Sequence, residues 1–171
     1  LQDSAVPKVK FSGSYGSYNT QNYNLSVQGS AGRFTYDAGY QFYKTDGYLR
    51  NTEAEIQTGV GRAGYVIPSG GHIALTASYT SNERRDAVLN DPSRSDYDSD
   101  YPDVTSASRT MSQDPSWDGD CKRLRLDYLQ PWTIGEVSLD AYYGEEYKYR
   151  AYIRSGDYYH FFTRWYQTGA K

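Results

Sequence analysis

A chain of 171 residues is long enough for one domain, yet only 37% of it is hydrophobic, and tyrosine, with 20 copies, outnumbers every other large apolar type. A formal net charge of −3 is too small for the low-hydrophobicity, high-charge signature of disorder, and a mildly acidic balance without a basic stripe excludes nucleic acid as the natural partner. The single cysteine, Cys121, excludes an internal disulfide framework, and no run approaches the ~20 apolar residues of a transmembrane helix.

Period-two alternation runs from end to end, and no sustained helical periodicity competes with it. KVKFSGSYGSYN (8–19) sets Val9, Phe11, Gly13 and Tyr15 on one face. NYNLSVQG (22–29) opposes Tyr23, Leu25 and Val27 to Asn24, Ser26 and Gln28, and GSAG (29–32) is a tight turn. The third segment opposes Phe34, Tyr36, Ala38, Tyr40 and Phe42 to Thr35, Asp37, Gly39, Gln41 and Tyr43. It runs into Asp46-Gly47, a hairpin signal set in a longer loop. In the fourth, EAEIQTGVGRAGYVI (53–67), Ala54, Ile56 and Val60 share a face. Arg62 then falls in the wrong phase, on that same face, which predicts a bulge or the rim.

PSGG (68–71) turns the chain into HIALTASYTSN (72–82), with Ile73, Leu75, Ala77 and Tyr79 against Thr76, Ser78 and Thr80. A stretch poor in apolar residues, from about Glu83 to Asp118, reads as one long loop. CKRLRLDYLQ (121–130) alternates Leu124, Leu126 and Tyr128 with Arg123, Arg125 and Asp127, and PWTIGE (131–136) turns the chain again. EVSLDAYYGEEYKYRAYI (136–153) opposes Val137 and Leu139 to Ser138 and Asp140. RSGDYYH (154–160) reads as a loop, and FFTRWYQTGAK opens an eighth strand.

GSAG, PSGG and PWTIGE are short, whereas NTQN, TDGYLRNT, the 83–118 stretch and RSGDYYH share the other end and include the long connections. Tight turns at one end of an antiparallel meander and long loops at the other are the plan of a transmembrane β-barrel, and strands of about ten residues fit a tilted crossing. The fold class expected is therefore all-β, an antiparallel transmembrane barrel meander. Phe34, Tyr36, Tyr40, Phe42, Ile73, Leu75, Leu124, Leu126, Val137 and Leu139 would meet lipid. Thr35, Asp37, Gln41, Thr76, Arg123, Arg125, Asp127 and Asp140 would line a lumen, with tyrosines at the interfaces. A soluble β-sheet binding module with the same apolar face turned to a core, and a small stand-alone porin or structural barrel, share this pattern.

FSGSYGSYNTQNYNLSVQG followed by FTYDAGYQFYKTDGYLRN resembles the start of the barrel of TonB-dependent outer-membrane receptors. In that family a strand marked by glycine and tyrosine opens the barrel after a plug, and a "DGYR-N"-type loop follows the third strand. The loop here reads Asp46, Gly47, Tyr48, Leu49, Arg50, Asn51, with Leu49 inserted before the arginine. The resemblance covers residues 1–171 as strands one to eight of a barrel of about twenty-two strands. It implies a bacterial outer membrane, contact with its lipid, and active uptake of a scarce nutrient chelate, a ferric siderophore or a cobalamin-like ligand. TonB would act through a plug that this sequence does not contain. With Leu1 at its start and WYQTGAK at its end, the chain is expected to be the opening part of such a receptor.

Catalysis finds no motif. His72 and His160 stand apart from any serine, cysteine or carboxylate at nucleophile spacing, and Glu145 and Glu146 are adjacent, so a strand points them to opposite faces. The long loop carries Asp91, Asp96, Asp98, Asp100 and Asp103, and alternate carboxylates are one way a loop wraps a hard cation. Cobalamin receptors of the resembled family order loops with calcium through aspartates, which makes calcium the cofactor to test. Substrate contact is expected from loop aromatics and charges: Tyr48 and Arg50, Tyr97 and Tyr101, and Tyr158, Tyr159 and His160.

Overall fold

A computed structural model describes residues 6–105, 113–154 and 157–170, the side chains at 113, 114, 153, 154 and 158 excepted. It is all β and forms one antiparallel sheet: β1 (Lys8–Gly16), β2 (Thr20–Ala31), β3 (Phe34–Thr45), β4 (Ala54–Val66), β5 (His72–Arg85), β6 (Gln113–Trp132), β7 (Gly135–Arg154) and β8 (Asp157–Ala170). The eight strands lie in chain order, each bonded only to its sequence neighbours, so the sheet is a pure meander. β1 and β8 are its two edges and do not meet. Tyrosine, threonine and the β-branched residues favour this extended pairing along most of the length.

Cross-strand partners share a face, so the register fixes the two surfaces. Phe34 lies opposite Tyr65, Tyr65 opposite Ile73, Ile73 opposite Tyr128, and Tyr128 opposite Leu139. One row further, Tyr36, Ala63, Leu75, Leu126 and Ala141 follow each other across β3 to β7. All the residues expected on the apolar face fall on this one surface. On the other, Asp37 faces Arg62, Arg62 faces Thr76, and Thr76 faces Arg125, while Asp127 lies opposite Asp140.

Neither surface is covered. Among the described residues the buried apolar side chains are Ala74, Val104 and Ala151, whereas Phe11, Leu25, Leu75, Leu124 and Leu139 are exposed. Among the described residues no second sheet and no helix packs on either side.

Several sequence expectations need correction. No bulge sits at Arg62. It is in phase with Asp37 across the strand pair, and Ile56 and Val60 are the residues that fall on the polar surface. The register shift lies instead between Gln113 and Ser116 of β6. β5 extends to Arg85 and β6 begins at Gln113, so the long connection shrinks to residues 86–112. Charged residues continue the ladder there because Glu83 to Arg85 pair with Ser116 to Asp118, a signal that apolar alternation does not carry. The NTQN connection is a tight turn at 17–19, closed by the Thr20 amide donating to the Ser17 carbonyl at 3.1 Å. RSGDYYH is mostly strand: β8 starts at Asp157, and Tyr159 pairs with Tyr152.

Two carboxylates directly opposite each other destabilise a strand pair unless a cation bridges them. Arg125 does so, its guanidinium reaching Asp127 at 2.9 Å and also bonding Asp140. Replacing Arg125 by glutamine is expected to lower the midpoint of unfolding, and adding Asp140→Asn should restore most of the loss. A double variant no more stable than Arg125→Gln alone would show that the opposed carboxylates do not matter.

Candidate functional site

The connection at residues 46–53 meets residues 86–105 at one end of the sheet, and side-chain hydrogen bonds join the two. Gly47 holds the first of them in a left-handed turn (φ 83°). A Cβ there would lie 2.6 Å from the Thr52 backbone carbon, so only glycine fits. Thr52 closes the turn, its hydroxyl donating to the Leu49 carbonyl at 2.6 Å and accepting from the Leu49 amide at 3.1 Å. Asn51 also takes a positive φ of 60°, which asparagine tolerates better than most residues.

That geometry turns Arg50 and Asn51 toward the longer connection. The Arg50 guanidinium donates to the carbonyls of Leu89 (3.3 Å) and Asp96 (2.5 Å) and stands 3.6 Å from the Asp96 carboxylate. Asn51 Nδ2 donates to the Asp86 carbonyl at 2.8 Å and reaches the Pro115 carbonyl at 3.4 Å. The Val88 amide donates to the Arg50 carbonyl at 3.2 Å. Tyr48 points elsewhere and meets Tyr18 edge-on, ring centres 5.3 Å apart.

Asn90 organises the longer connection from within. It is fully buried, and its amide nitrogen donates to the carbonyls of Asp98 (2.8 Å), Tyr101 (3.0 Å) and Pro102 (3.2 Å). Its side-chain oxygen accepts from the Asp98 amide at 2.9 Å, while its backbone bridges Val104 in both directions.

The aspartates expected to gather around a cation have separate partners. Asp91 accepts from the amide and hydroxyl of Ser93, both at 2.8 Å, and these bonds hold its carboxyl below the usual range. Asp96 is held low by the hydrogen bond from Arg94, at 2.8 Å. Asp98 accepts from the Asp100 amide at 3.0 Å. Asp103 accepts from the Tyr97 hydroxyl at 3.1 Å, which pushes the Tyr97 phenol up. Calcium needs convergent oxygens, and among the described residues no three carboxylate, histidine or cysteine side chains converge on a point.

The remaining candidates divide. Tyr101 contributes its carbonyl to Asn90. Tyr159 stacks on Tyr152 at 5.2 Å on the polar surface, whereas His160 lies on the other surface with its Nδ1 2.6 Å from the Tyr149 hydroxyl. The Tyr158 side chain lies outside the described residues. Sequence reasoning thus paired Arg50 with Tyr48 as ligand contacts, but the structure pairs Arg50 with Asp96. It missed Asn90, a lone asparagine in polar context without a distinguishing pattern, and it read Asn51 only as the end of the Asp46–Asn51 loop motif. A row of arginine and aromatic residues across β5 to β8 was also missed. Compared with known proteins, the chain matches no family model, no curated protein and no solved structure.

Asn90→Ala should loosen residues 88–104 by ~2–3 kcal/mol, since each intramolecular hydrogen bond contributes about 1 kcal/mol and buried carbonyls lose their donor. Amide exchange at Asp98 and Val104 checks this, with the sheet amides as the unchanged reference. A second expectation concerns pH. Asp91 and Asp96 have lowered values, so the order they contribute is complete above the ordinary carboxylate range near about 4 and is lost as pH falls through their depressed values. Tyr97, with a raised value, keeps its contribution below about 10 and loses it only as pH rises past the folded value. A spin label at exposed Ser95 should therefore keep its mobility from about pH 8 to 5 and gain mobility below about pH 4.

Proposed function

We propose that this chain is part of the barrel of a bacterial outer-membrane receptor of the TonB-dependent kind, and that the whole receptor takes up a scarce nutrient chelate such as a ferric siderophore or cobalamin-like ligand. Its role is binding and transport rather than catalysis. The observation that carries the membrane reading is the uncovered apolar surface. Leu25, Val27, Leu75, Ala77, Leu124, Leu126 and Ala141 form an aliphatic band. Phe34, Tyr65 and Tyr128 lie on its short-turn side, and Tyr23, Phe42 and Tyr79 on its loop side. An apolar band between two aromatic rows is the lipid-facing pattern of an outer-membrane barrel, and the soluble alternative would need a core layer that no described element supplies.

The band also runs obliquely through the register. In the row that carries Phe11, Leu25, Tyr40 and Tyr79, β6 and β7 present Lys122 and Glu145. In the row that starts at Phe34 and Ile73, β7 still presents Leu139. A flat membrane slab crossing the rows on a slant means tilted strands, as barrel closure requires. The two open edges favour further strands over an isolated eight-stranded sheet, because unpaired backbone groups are not tolerated in hydrocarbon. TonB would then act through the plug of the whole receptor, and the motif that carries this narrower assignment is the Asp46–Asn51 loop with the segments before it.

Single spin labels test the orientation. Labels at Leu75, Leu126 and Leu139 in bilayer-reconstituted protein should be relaxed by dissolved oxygen. Labels at Thr76, Arg125 and Asp140 should respond to a water-soluble reagent. An arginine on the lipid surface near the midplane costs roughly 2–4 kcal/mol, so the reverse pattern would overturn the membrane reading. A chain that folds and stays monodisperse in buffer alone would do the same.

A further inference from the structure

On the polar surface, beyond the level of the aliphatic band, one row of the sheet alternates cation and ring. Arg84 of β5 lies opposite Trp117 of β6, Trp117 opposite Arg150 of β7, and Arg150 opposite Phe161 of β8. The Arg84 guanidinium stands 4.9 Å from the Trp117 ring centre and that of Arg150 5.1 Å from it, so the indole is flanked by two cations. Arg150 also stands 5.5 Å from the Tyr152 ring, which stacks on Phe161 at 5.9 Å. The register thus assembles rings and guanidiniums from four strands onto one open surface.

The charge in this row is only partly compensated. Arg150 is 3.6 Å from the Asp86 carboxylate. Arg84 is exposed, and among the described residues its guanidinium has no hydrogen-bond acceptor or carboxylate partner. A planar fork of five N–H groups beside an indole face is suited to a partner that offers oxygen anions and a flat ring together.

We propose that Arg84, Trp117 and Arg150 form a binding site for a planar aromatic anion, an aryl ring bearing carboxylate or phenolate oxygens, with Tyr152 and Phe161 extending the stacking surface. The ring lies against the aromatic faces and its oxygens pair with the guanidinium of Arg84. This deepens the transport reading, because the site lies on the surface assigned to the interior and at the end that carries the long connections. It also links ligand to loop. Asp86, the carboxylate partner of Arg150, offers its carbonyl to Asn51, so an anion that competes for Arg150 acts on the residue that joins the end of β5 to the 46–53 connection.

The test uses the full chain with Trp132→Phe and Trp165→Phe, which leaves Trp117 as its only tryptophan. 2-Naphthoate is titrated against Trp117 fluorescence, and binding is measured independently by equilibrium dialysis. Saturable quenching is expected, weakened about tenfold by Arg84→Gln and further by the Arg84→Gln, Arg150→Gln pair, with circular dichroism unchanged. Neutral 2-naphthylmethanol and non-aromatic cyclohexanecarboxylate should compete poorly. Equal binding of the neutral alcohol, equal binding by Arg84→Gln, or no saturation up to about 10 mM by either method would overturn the site. A chain that binds naphthoate but fails the spin-label test keeps this inference and loses the membrane reading. The opposite pair of results removes the site and leaves the barrel.

Discussion

Everything in the described sheet depends on lateral backbone pairing, to which cross-strand side-chain contacts such as Arg125 with Asp140 only add. Each of β2 to β7 satisfies its N–H and C=O groups through the strands on both sides, and among the described residues no second layer contributes a core. A single-layer sheet of this kind must find its covering outside itself. That requirement gives the two surfaces their meaning. One collects Leu25, Leu75, Leu126 and their neighbours, and the other collects Asp37, Arg62, Thr76 and Arg125. The difference between a bilayer protein and a soluble one lies in what meets the first surface, and the register has already decided which residues are on it.

The fold was largely legible because alternation has a period of two and a strand obeys it rigidly. Once Phe34 and Phe42 share a face, Leu75, Leu126 and Leu139 follow if no register slips, and none does between β3 and the paired part of β7 beyond Ser116. The failures have a common cause. Asn82 to Arg85, Ser116 to Asp120 and Asp157 to His160 are strand, but they are held by polar, aromatic and cation–ring pairs that carry no apolar rhythm. Arg62 was misjudged because Ile56 and Val60 were assumed to mark the apolar face, while its true partner, Asp37, lies on another strand.

The candidate site was legible as a place and not as a mechanism. Asp46-Gly47 marks a turn from sequence alone, and the positive φ of Gly47 bears out the reason. What Arg50 and Asn51 reach depends on residues 86 to 96, whose position no local pattern specifies. Asn90 is harder still, since its environment consists of main-chain carbonyls, and carbonyls are the same in every sequence. The arginine and aromatic row has the same character: Arg84, Trp117, Arg150 and Phe161 are far apart along the chain and become neighbours only through a register.

The strict neighbour-to-neighbour order of the strands has a kinetic side. Every ladder joins consecutive segments, so hairpins can close one after another along the chain, and the entropy of bringing distant strands together is met in small steps. The bonds from Arg50 and Asn51 to residues 86, 89 and 96 are different. They join the connection between β3 and β4 to residues that follow β5, and they bring together groups separated by 35 to 46 residues. The order of residues 86–96 therefore depends on two hairpins at once, whereas each ladder depends on one.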